Sequence, residues 1–362
     1  MTKLKKIPLI LSILSIITFF SPLKAEIKVV ASIKPIHSLA AYLMDGVNKP
    51  GLIVDGYASP HGFALKPSHA KMLQDADLIF WVGEDLENFL EKPLGSIAKK
   101  AEKIELLEIK GLTKLKFRER NIFDGHDDHG HKEDDHDDHD EHAKKDDHDD
   151  HDHDKEGHKE KEDDHDDHDH DKEGKKKDDH DDHGHDEHGH EGHAHGEFDP
   201  HIWLDPMNAK IILKEMTEHL IEKDQKNASI YKKNLKKGLK DLDKLTSDVK
   251  SDLNKEFKSI VFHDAYQYFE KRFDVNVLGA FTVNTDVLPG AEQLSEIREI
   301  IEHDKVSCIF SEPQFNPDII KAVANDTNVA TGVIDPLGAT LNPGKDLYFD
   351  LISNMSKSFK GC

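Results

Sequence analysis

This chain has few cysteines, few long apolar runs and no excess of positive charge. It has 362 residues, of which two are cysteines, and 49 Lys and Arg stand against 73 Asp and Glu. The acidic balance excludes the basic stripe of a nucleic-acid-binding protein. Beyond residue 20 no run of about 18 apolar residues follows, so no membrane-spanning helix is predicted after the N-terminus.

The two cysteines, Cys308 and Cys362, lack the short CxxC spacing by which zinc thiolate sites are recognised. In an exported chain an even pair favours a disulfide, which here would tie the C-terminus to the segment 306–310. We therefore interpret the pair as structural.

The N-terminus has the pattern of an export signal. Lys3, Lys5 and Lys6 precede an apolar run at residues 7–20, and a cleavage point follows at Ala25. We expect residues 1–25 to be a cleaved signal peptide and the mature protein to be periplasmic. A retained N-terminal anchor is the alternative, because Leu23 matches the cleavage pattern poorly.

The negative charge is concentrated in one low-complexity segment from Asp124 to Gly196. This segment holds 33 acidic residues and 10 lysines, a net charge of −23 in a chain of net charge −24. It also holds 20 of the 27 histidines, in repeats such as DDHDDH. With almost no apolar side chains it cannot offset the entropy cost of ordering, so residues 124–196 are predicted to be a disordered insertion.

Histidines interleaved with carboxylates suit Zn²⁺, Cu²⁺ or Ni²⁺. Each ion in such a segment has to organise its own ligands, so we expect several weakly bound ions there. The alternative is a solubilising acidic segment with incidental histidines. The predicted auxiliary ligands are His126, His129, His131, His136, His139, His183, His185, His188, His190, His193 and His195.

Outside the insertion, short β-rich runs alternate with helical stretches, a pattern that predicts βαβ units and parallel sheets. Strands are predicted at 28–33, 51–55, 77–82 and 103–109, then at 259–263, 276–281, 306–310 and 329–334, and helices at 37–45, 67–75, 291–304 and 317–325. We expect an α/β fold of two lobes, 26–226 and 257–362, each with a four-stranded parallel sheet flanked by helices.

One long rigid helix at residues 227–256 is expected to join the lobes. Its apolar residues, from Tyr231 to Leu253, recur at spacings of three and four and form a single stripe. Asn227 is a plausible N-cap. Two shorter helices broken near Gly238 are the alternative.

Three of the seven histidines outside the insertion lie where parallel sheets present functional groups. His61 follows the second strand, His263 ends the run SIVFH, and His201 lies where the insertion rejoins the fold. Three imidazoles and one oxygen donor make a tetrahedral zinc site, and Asp335, after the last strand, is the best-placed fourth ligand. The remaining histidines are expected at surface or capping positions, except His37, whose role near the cleft is open.

Six runs resemble the periplasmic zinc-binding component of bacterial zinc ABC importers. They are DGYASPHGFALKPSHAKMLQDADLIFWVGEDLENFL, HIWLDP, VFHDAYQYFEKRF, FTVNTDVLPGAEQLSEIREI, FSEPQF and IDPLG, in matching order across the mature chain. The resemblance implies that the zinc ligands are His61, His201 and His263 and that a disulfide joins Cys308 and Cys362, as in some relatives. It also implies a monomer that is not an enzyme and delivers Zn²⁺ to a membrane permease with its cytoplasmic ATPase.

One departure from the family pattern concerns the fourth ligand. Some relatives place a Glu directly before the first ligand histidine, where this chain has Pro60. The fourth donor is thus Asp335, a water molecule or a histidine of the insertion. Manganese-binding relatives use a Glu and an Asp of the second lobe, which Glu312 and Asp335 match, so a manganese receptor or adhesin is an alternative.

A zinc hydrolase is the remaining alternative, because three histidines and an open position also describe catalytic zinc. The sequence has no HExxH motif and no nucleophile motif. A transport receptor is therefore the favoured interpretation.

Overall fold

The computed structural model describes residues 26–118, 120–122, 196–253, 257–285 and 287–362. The predicted signal peptide, the auxiliary histidines and all of the predicted insertion except Gly196 lie outside these ranges. Within them, no helix combines the length and apolar character that crossing a membrane requires.

The first sheet is parallel, with strand order β2-β1-β3-β4. Its strands are β1 (Val29–Ile33), β2 (Gly51–Val54), β3 (Leu78–Trp81) and β4 (Glu102–Glu105). The central strands β1 and β3 are buried along their whole length, as expected where helices cover both faces of a sheet. The associated helices are α1 (Lys34–Leu43), α2 (Pro67–Asp75), α3 (Glu84–Ser96) and α4 (Pro206–Lys223).

The second sheet repeats this arrangement, with strand order β6-β5-β7-β8 and parallel pairing throughout. Its strands are β5 (Lys258–His263), β6 (Asn276–Thr282), β7 (Cys308–Ser311) and β8 (Ala330–Val333). Its helices are α6 (Gln267–Phe273), α7 (Ala291–His303), α8 (Asp318–Thr327) and α9 (Leu347–Gly361). Both sheets belong to one compact unit of the chain, and the predicted α/β class with two four-stranded parallel sheets is confirmed.

The connecting helix α5 spans Ala228–Asp252 without a break, so the alternative of two helices is wrong. Gly238 is buried within it, and a Cβ there would lie 3.1 Å from side-chain carbons of both Leu213 and Tyr42. The glycine therefore lets α5 approach α4 and α1 closely. At about 1.5 Å per residue the helix is roughly 38 Å long.

Asn227 occupies the predicted N-cap position of this helix but does not cap it through its side chain. The Asn227 side chain makes no capping bond; its amide donates to Asp224 Oδ2 at 2.6 Å, and Tyr231 Oη donates to the same oxygen at 2.8 Å. A 3-10 turn at Gln225–Asn227 leads directly into α5. Asp224, at the end of α4, therefore organises this connection.

The fourth strand is shorter than predicted. It ends at Glu105, and a 3-10 turn follows at Leu106–Glu108. Leu106 and Leu107 are both buried although they are adjacent. The chain therefore remains in the core beyond the end of the strand.

The disulfide between Cys308 and Cys362 is present, which confirms that prediction. The two Cα atoms are 5.7 Å apart. Cys308 begins β7 and Cys362 directly follows α9, so the bond fastens the C-terminal helix to the second sheet.

Candidate metal centre

Three histidines meet at the carboxyl ends of the strands. His61 lies in the loop between β2 and α2, His201 directly precedes a 3-10 turn at Ile202–Leu204, and His263 is the last residue of β5. Parallel sheets present functional groups at this edge. The order of the elements therefore brings together residues that are far apart in the sequence.

Their geometry is that of a cluster able to hold one metal ion. One ring nitrogen from each histidine can be chosen so that all three atoms lie within 4.8 Å of one another. The Nε2 atoms of His201 and His263 are 3.4 Å apart. The three pairs of ring centroids are separated by 5.3 to 5.7 Å, and the rings are inclined to one another rather than stacked.

Asp199 fixes the orientation of His201. Its Oδ1 atom lies 2.7 Å from His201 Nδ1 and accepts the backbone N–H of His201 at 2.9 Å. Both residues are buried. A proton held on Nδ1 by this carboxylate leaves the Nε2 lone pair directed toward the other histidines.

Glu312 serves His263 in the same way. Glu312, which follows β7, places Oε1 2.7 Å from His263 Nδ1. Carboxylate partners of this kind fix the tautomer of metal-binding histidines and make them more basic. Two of the three histidines therefore present Nε2 in a defined direction.

The two buried histidines differ in their pKa shifts. Burial lowers the pKa of His201 well below its ordinary value, and the nearby His263 lowers it further. Burial also opposes a charge on His263, but the adjacent Glu312 carboxylate outweighs this effect and raises the pKa of His263. Of these two, His201 is thus the histidine that the site holds more firmly in the neutral, metal-binding form.

Apolar side chains complete the cavity around the cluster. Its walls include Trp203, Phe315 and Leu337. The Trp203 ring lies 5.3 Å from the His201 ring, and its Nε1 donates to the carbonyl of Pro336 at 2.8 Å. Limited water access of this kind strengthens electrostatic interactions at the histidines.

A group of buried carboxylates lies behind the histidines. Asp199, Asp264 and Glu270 are 0%, 4% and 9% exposed. Arg118 donates from Nη1 to Asp264 at 3.1 Å and from Nη2 to Glu270 at 2.6 Å. Burial raises the pKa of Asp264 to about 7 and that of Glu270 to about 8, while Arg118 opposes both shifts.

Comparison with known proteins identifies the family. Residues 29–362 match the profile of the ZnuA family, described as the periplasmic zinc-uptake complex component A. A high-affinity zinc uptake system protein ZnuA from Brucella abortus (strain 2308) is 43% identical over 336 residues, which cover 92% of this chain and 91% of the relative. The corresponding Yersinia pestis protein is 34% identical, over 93% of this chain and 92% of its own length.

The chain belongs to the ZnuA family. The family description is that of a periplasmic component of an uptake complex, not of an enzyme. Solved structures agree on the fold. A crystal structure of ZnuA matches with a TM-score of 0.64 at 17% identity, over 92% of this chain and all of that one. The periplasmic zinc-binding protein TroA from Treponema pallidum gives 0.64 at 16% identity, over 93% and 99% of the two chains.

In this ZnuA-family chain, Asp335 is not part of the histidine cluster. Its carboxylate accepts hydrogen bonds from three backbone N–H groups, those of Leu337, Gly338 and Ala339, at 2.6 to 3.0 Å. The side-chain amide of Gln314 donates a fourth at 2.8 Å. In this structure Asp335 therefore organises the loop beside the cavity.

The other folded histidines lie away from the cluster. His37 is buried in α1, and its Nε2 lies 3.1 Å from the carbonyl of Pro50. His69 lies in the N-terminal turn of α2, and its Nδ1 accepts the backbone N–H of Lys66. His219 on α4 lies 2.7 Å from Glu102, and together with Glu222 these form a second group of potential ligands. His303 is an exposed residue at the end of α7.

Sequence reasoning missed the residues that act on the histidines. Asp199 was overlooked although the spacing Asp-Pro-His is itself a signal, since an Asp side chain commonly bonds the backbone two residues on. Glu312 was considered only as a possible metal ligand. Arg118, Asp264 and Glu270 carry no local pattern that marks them, because they meet only in the folded chain.

Proposed function

We propose that this chain is a periplasmic receptor that binds one Zn²⁺ tightly through His61, His201 and His263. The observation that supports this most directly is the convergence of three imidazoles with two of their Nδ1 atoms held by Asp199 and Glu312. Hydrogen-bonded histidines in a partly apolar cavity are characteristic of protein zinc sites. The zinc uptake named in the family description is the function that such a site serves.

We propose that the fourth position is filled by a water molecule. Recruiting Asp335, the alternative from the sequence, would require it to give up hydrogen bonds with the 337–339 backbone. His61 is half-buried, whereas His201 and His263 are buried, so the cluster lies nearest to solvent on the side of His61. A position open to solvent lets an incoming ion exchange its hydration shell stepwise.

The choice of zinc follows from the donor set. Three nitrogen donors favour Zn²⁺ over Mn²⁺, which prefers oxygen ligands and lies lower in the Irving–Williams order. A manganese receptor would bring more carboxylate oxygens to the ion. Here the nearby carboxylates of Asp199 and Glu312 contact Nδ1 atoms of histidines instead.

The remaining parts of the proposal concern export and delivery. Residues 1–25 would direct export and be removed, and a monomer would carry Zn²⁺ to the permease of an ABC importer driven by its cytoplasmic ATPase. The histidine-rich segment 124–196 would collect several ions weakly and raise the local zinc concentration near the receptor.

Zinc uptake by metal-starved cells tests this function. Cells that lack the gene should regain uptake with the wild-type chain and with His303→Ala, which removes an exposed histidine far from the cluster in sequence. The His263→Ala variant should not restore it. Full uptake with His263→Ala, at equal periplasmic protein levels, would refute the proposed site.

A further inference from the structure

The carboxylates behind the histidine cluster form a centre of negative charge that a bound metal ion would share. Asp199 contacts His201 directly, and Asp264 is the residue after His263. The Arg118 guanidinium donates hydrogen bonds to both Asp264 and Glu270. Glu270 accepts through both carboxylate oxygens, at 3.3 and 2.6 Å. In the described part of the chain, Arg118 is the cation paired with this group.

Backbone contacts on both sides hold Arg118 in place. Before it, the Asp199 N–H donates to the carbonyl of Leu115 at 2.8 Å. After it, Asn121 accepts the Ala280 N–H at 2.8 Å, and its side-chain amide donates to the carbonyls of Ala280 and Phe281 at 3.1 and 2.7 Å. This segment therefore links the residues around His201 to the edge strand β6.

The approach of this segment to β6 depends on Gly279. Ile122 forms an antiparallel bridge with Gly279. A Cβ at position 279 would lie 2.7 Å from the backbone oxygen of Asn121, a distance that side chains do not tolerate. The backbone contacts before and after Arg118 therefore hold its guanidinium next to the carboxylates.

A metal ion and this guanidinium compete for the same negative charge. An ion on the histidine Nε2 atoms would be separated from Asp199 by one imidazole ring, and it would repel the buried guanidinium. Even two unit charges about 10 Å apart, at an effective dielectric constant of about 20, change a binding constant by on the order of tenfold, and a divalent ion doubles that interaction free energy. A fixed internal cation therefore opposes metal binding, whereas it stabilises the metal-free protein.

We propose that Arg118 is the internal counter-cation of the metal site, a positioning residue that stabilises the metal-free state and limits zinc affinity. This inference rests on the proposed function of the site as a zinc receptor. A delivery protein has to release its ion, and a pinned guanidinium lowers the affinity without removing a ligand. If Arg118 were purely structural, its hydrogen bonds to Glu270 would only hold this part of the chain against α6.

A double-mutant cycle on the full chain separates the proposed role of Arg118 from a purely structural one. Only the proposed role predicts that loss of the guanidinium raises zinc affinity. Arg118→Met should raise zinc affinity about tenfold or more and lower the melting temperature of the metal-free protein. All affinities are compared near pH 9, where Glu270 is ionised although burial raises its pKa to about 8; there Glu270→Gln removes a negative charge and should lower zinc affinity several-fold, and the double variant should lie near wild type. Affinity is measured by competition with a zinc chelator, and stability by thermal melts with and without zinc.

The matched control is Lys116→Gln, two residues before Arg118. Lys116 pairs with Glu197 on the surface, where the side chains are 76% and 63% exposed, so zinc affinity should stay at the wild-type value. Arg118→Lys keeps the charge and should stay within about threefold of wild type.

Lower or unchanged affinity in Arg118→Met would overturn the inference. If that variant folds only in the presence of zinc, Glu270→Gln decides, because any ligand of the folded state would rescue a destabilised variant in this way. If the variant does not fold at all, Glu270→Gln decides, and unchanged or higher affinity there refutes the inference. Absence of tight zinc binding in the wild-type chain would instead refute the proposed function.

Discussion

Removing the charge of Asp199 or Glu312 should weaken zinc binding although neither is a proposed ligand. Asp199→Asn and Glu312→Gln keep the size of the side chain but replace the carboxylate at 2.7 Å from a histidine Nδ1 with a neutral amide. The amide orients the ring less firmly and makes it less basic. Loss of such a partner typically costs about 10- to 100-fold in metal affinity, or roughly 1.4 to 2.7 kcal/mol.

The two carboxylates serve different histidines of one site, whose Nε2 atoms lie 3.4 Å apart, so we expect their effects to combine without being strictly additive. The Asp199→Asn, Glu312→Gln double variant should then lose on the order of 10²- to 10⁴-fold. Chelator competition monitored by tryptophan fluorescence is suited to this measurement, because the Trp203 ring lies 5.3 Å from that of His201.

The matched control is Asp224→Asn, because Asp224 is also buried and also accepts two side-chain hydrogen bonds, but none from a histidine. It should lose stability and keep its zinc affinity. Wild-type affinity in both Asp199→Asn and Glu312→Gln would show that the carboxylates do not set the zinc-binding form of the histidines.

Three further outcomes are expected. The Cys308→Ala, Cys362→Ala variant should lose up to about 4 kcal/mol of unfolding free energy in denaturant, because the bond closes a loop with a sequence separation of 54, and it should keep its tight zinc site. Glu87 is buried, and burial raises its pKa from 4.5 to about 7. Its contribution to the free energy of unfolding is therefore complete below about pH 4.5, where the side chain is neutral in both states, and is lost as pH rises through 7. Glu87→Gln should therefore gain up to about 3 kcal/mol relative to wild type between these limits, and parallel pH melts that show no such gain would contradict the shift. Zinc should bind orders of magnitude more tightly than manganese in parallel titrations, and equal affinities would contradict the nitrogen-rich site.

The fold class was predictable because its signals are local. The strand β1, VVASI, is apolar except for Ser32, and the stripe from Tyr231 to Leu253 repeats at the helical period. Helix ends were less predictable. Asn227 is a good capping residue by type, but Asp224 competes for its side chain and a 3-10 turn replaces the cap.

The histidine cluster was predictable in part because strand ends converge in parallel α/β sheets. His61 and His263 could be chosen by their places at strand ends and His201 by its place where the insertion rejoins the fold, and the structure brings them together. The partners could not be chosen in this way. Glu312 reaches His263 across 49 residues, and Arg118 reaches Glu270 across 152, so these contacts depend on the register of whole elements.

For Asp335, position alone does not separate a metal ligand from a residue that organises a loop. It follows the last strand, as a ligand would, but the neighbouring backbone N–H groups of residues 337–339 already bind its carboxylate. Such local competition depends on the path of the loop. Sequence spacing does not reveal that path.

Zinc affinity of single histidine variants tests the central claim most directly. The full-length protein is titrated against a strong chelator as wild type, His201→Ala, His263→Ala and the exposed control His303→Ala, with circular dichroism to verify the fold. We expect one tight site in wild type and in His303→Ala, and a loss of at least about 100-fold in the other two, since each removes one of three nitrogen donors. Retention of the tight site in both His201→Ala and His263→Ala would contradict the account.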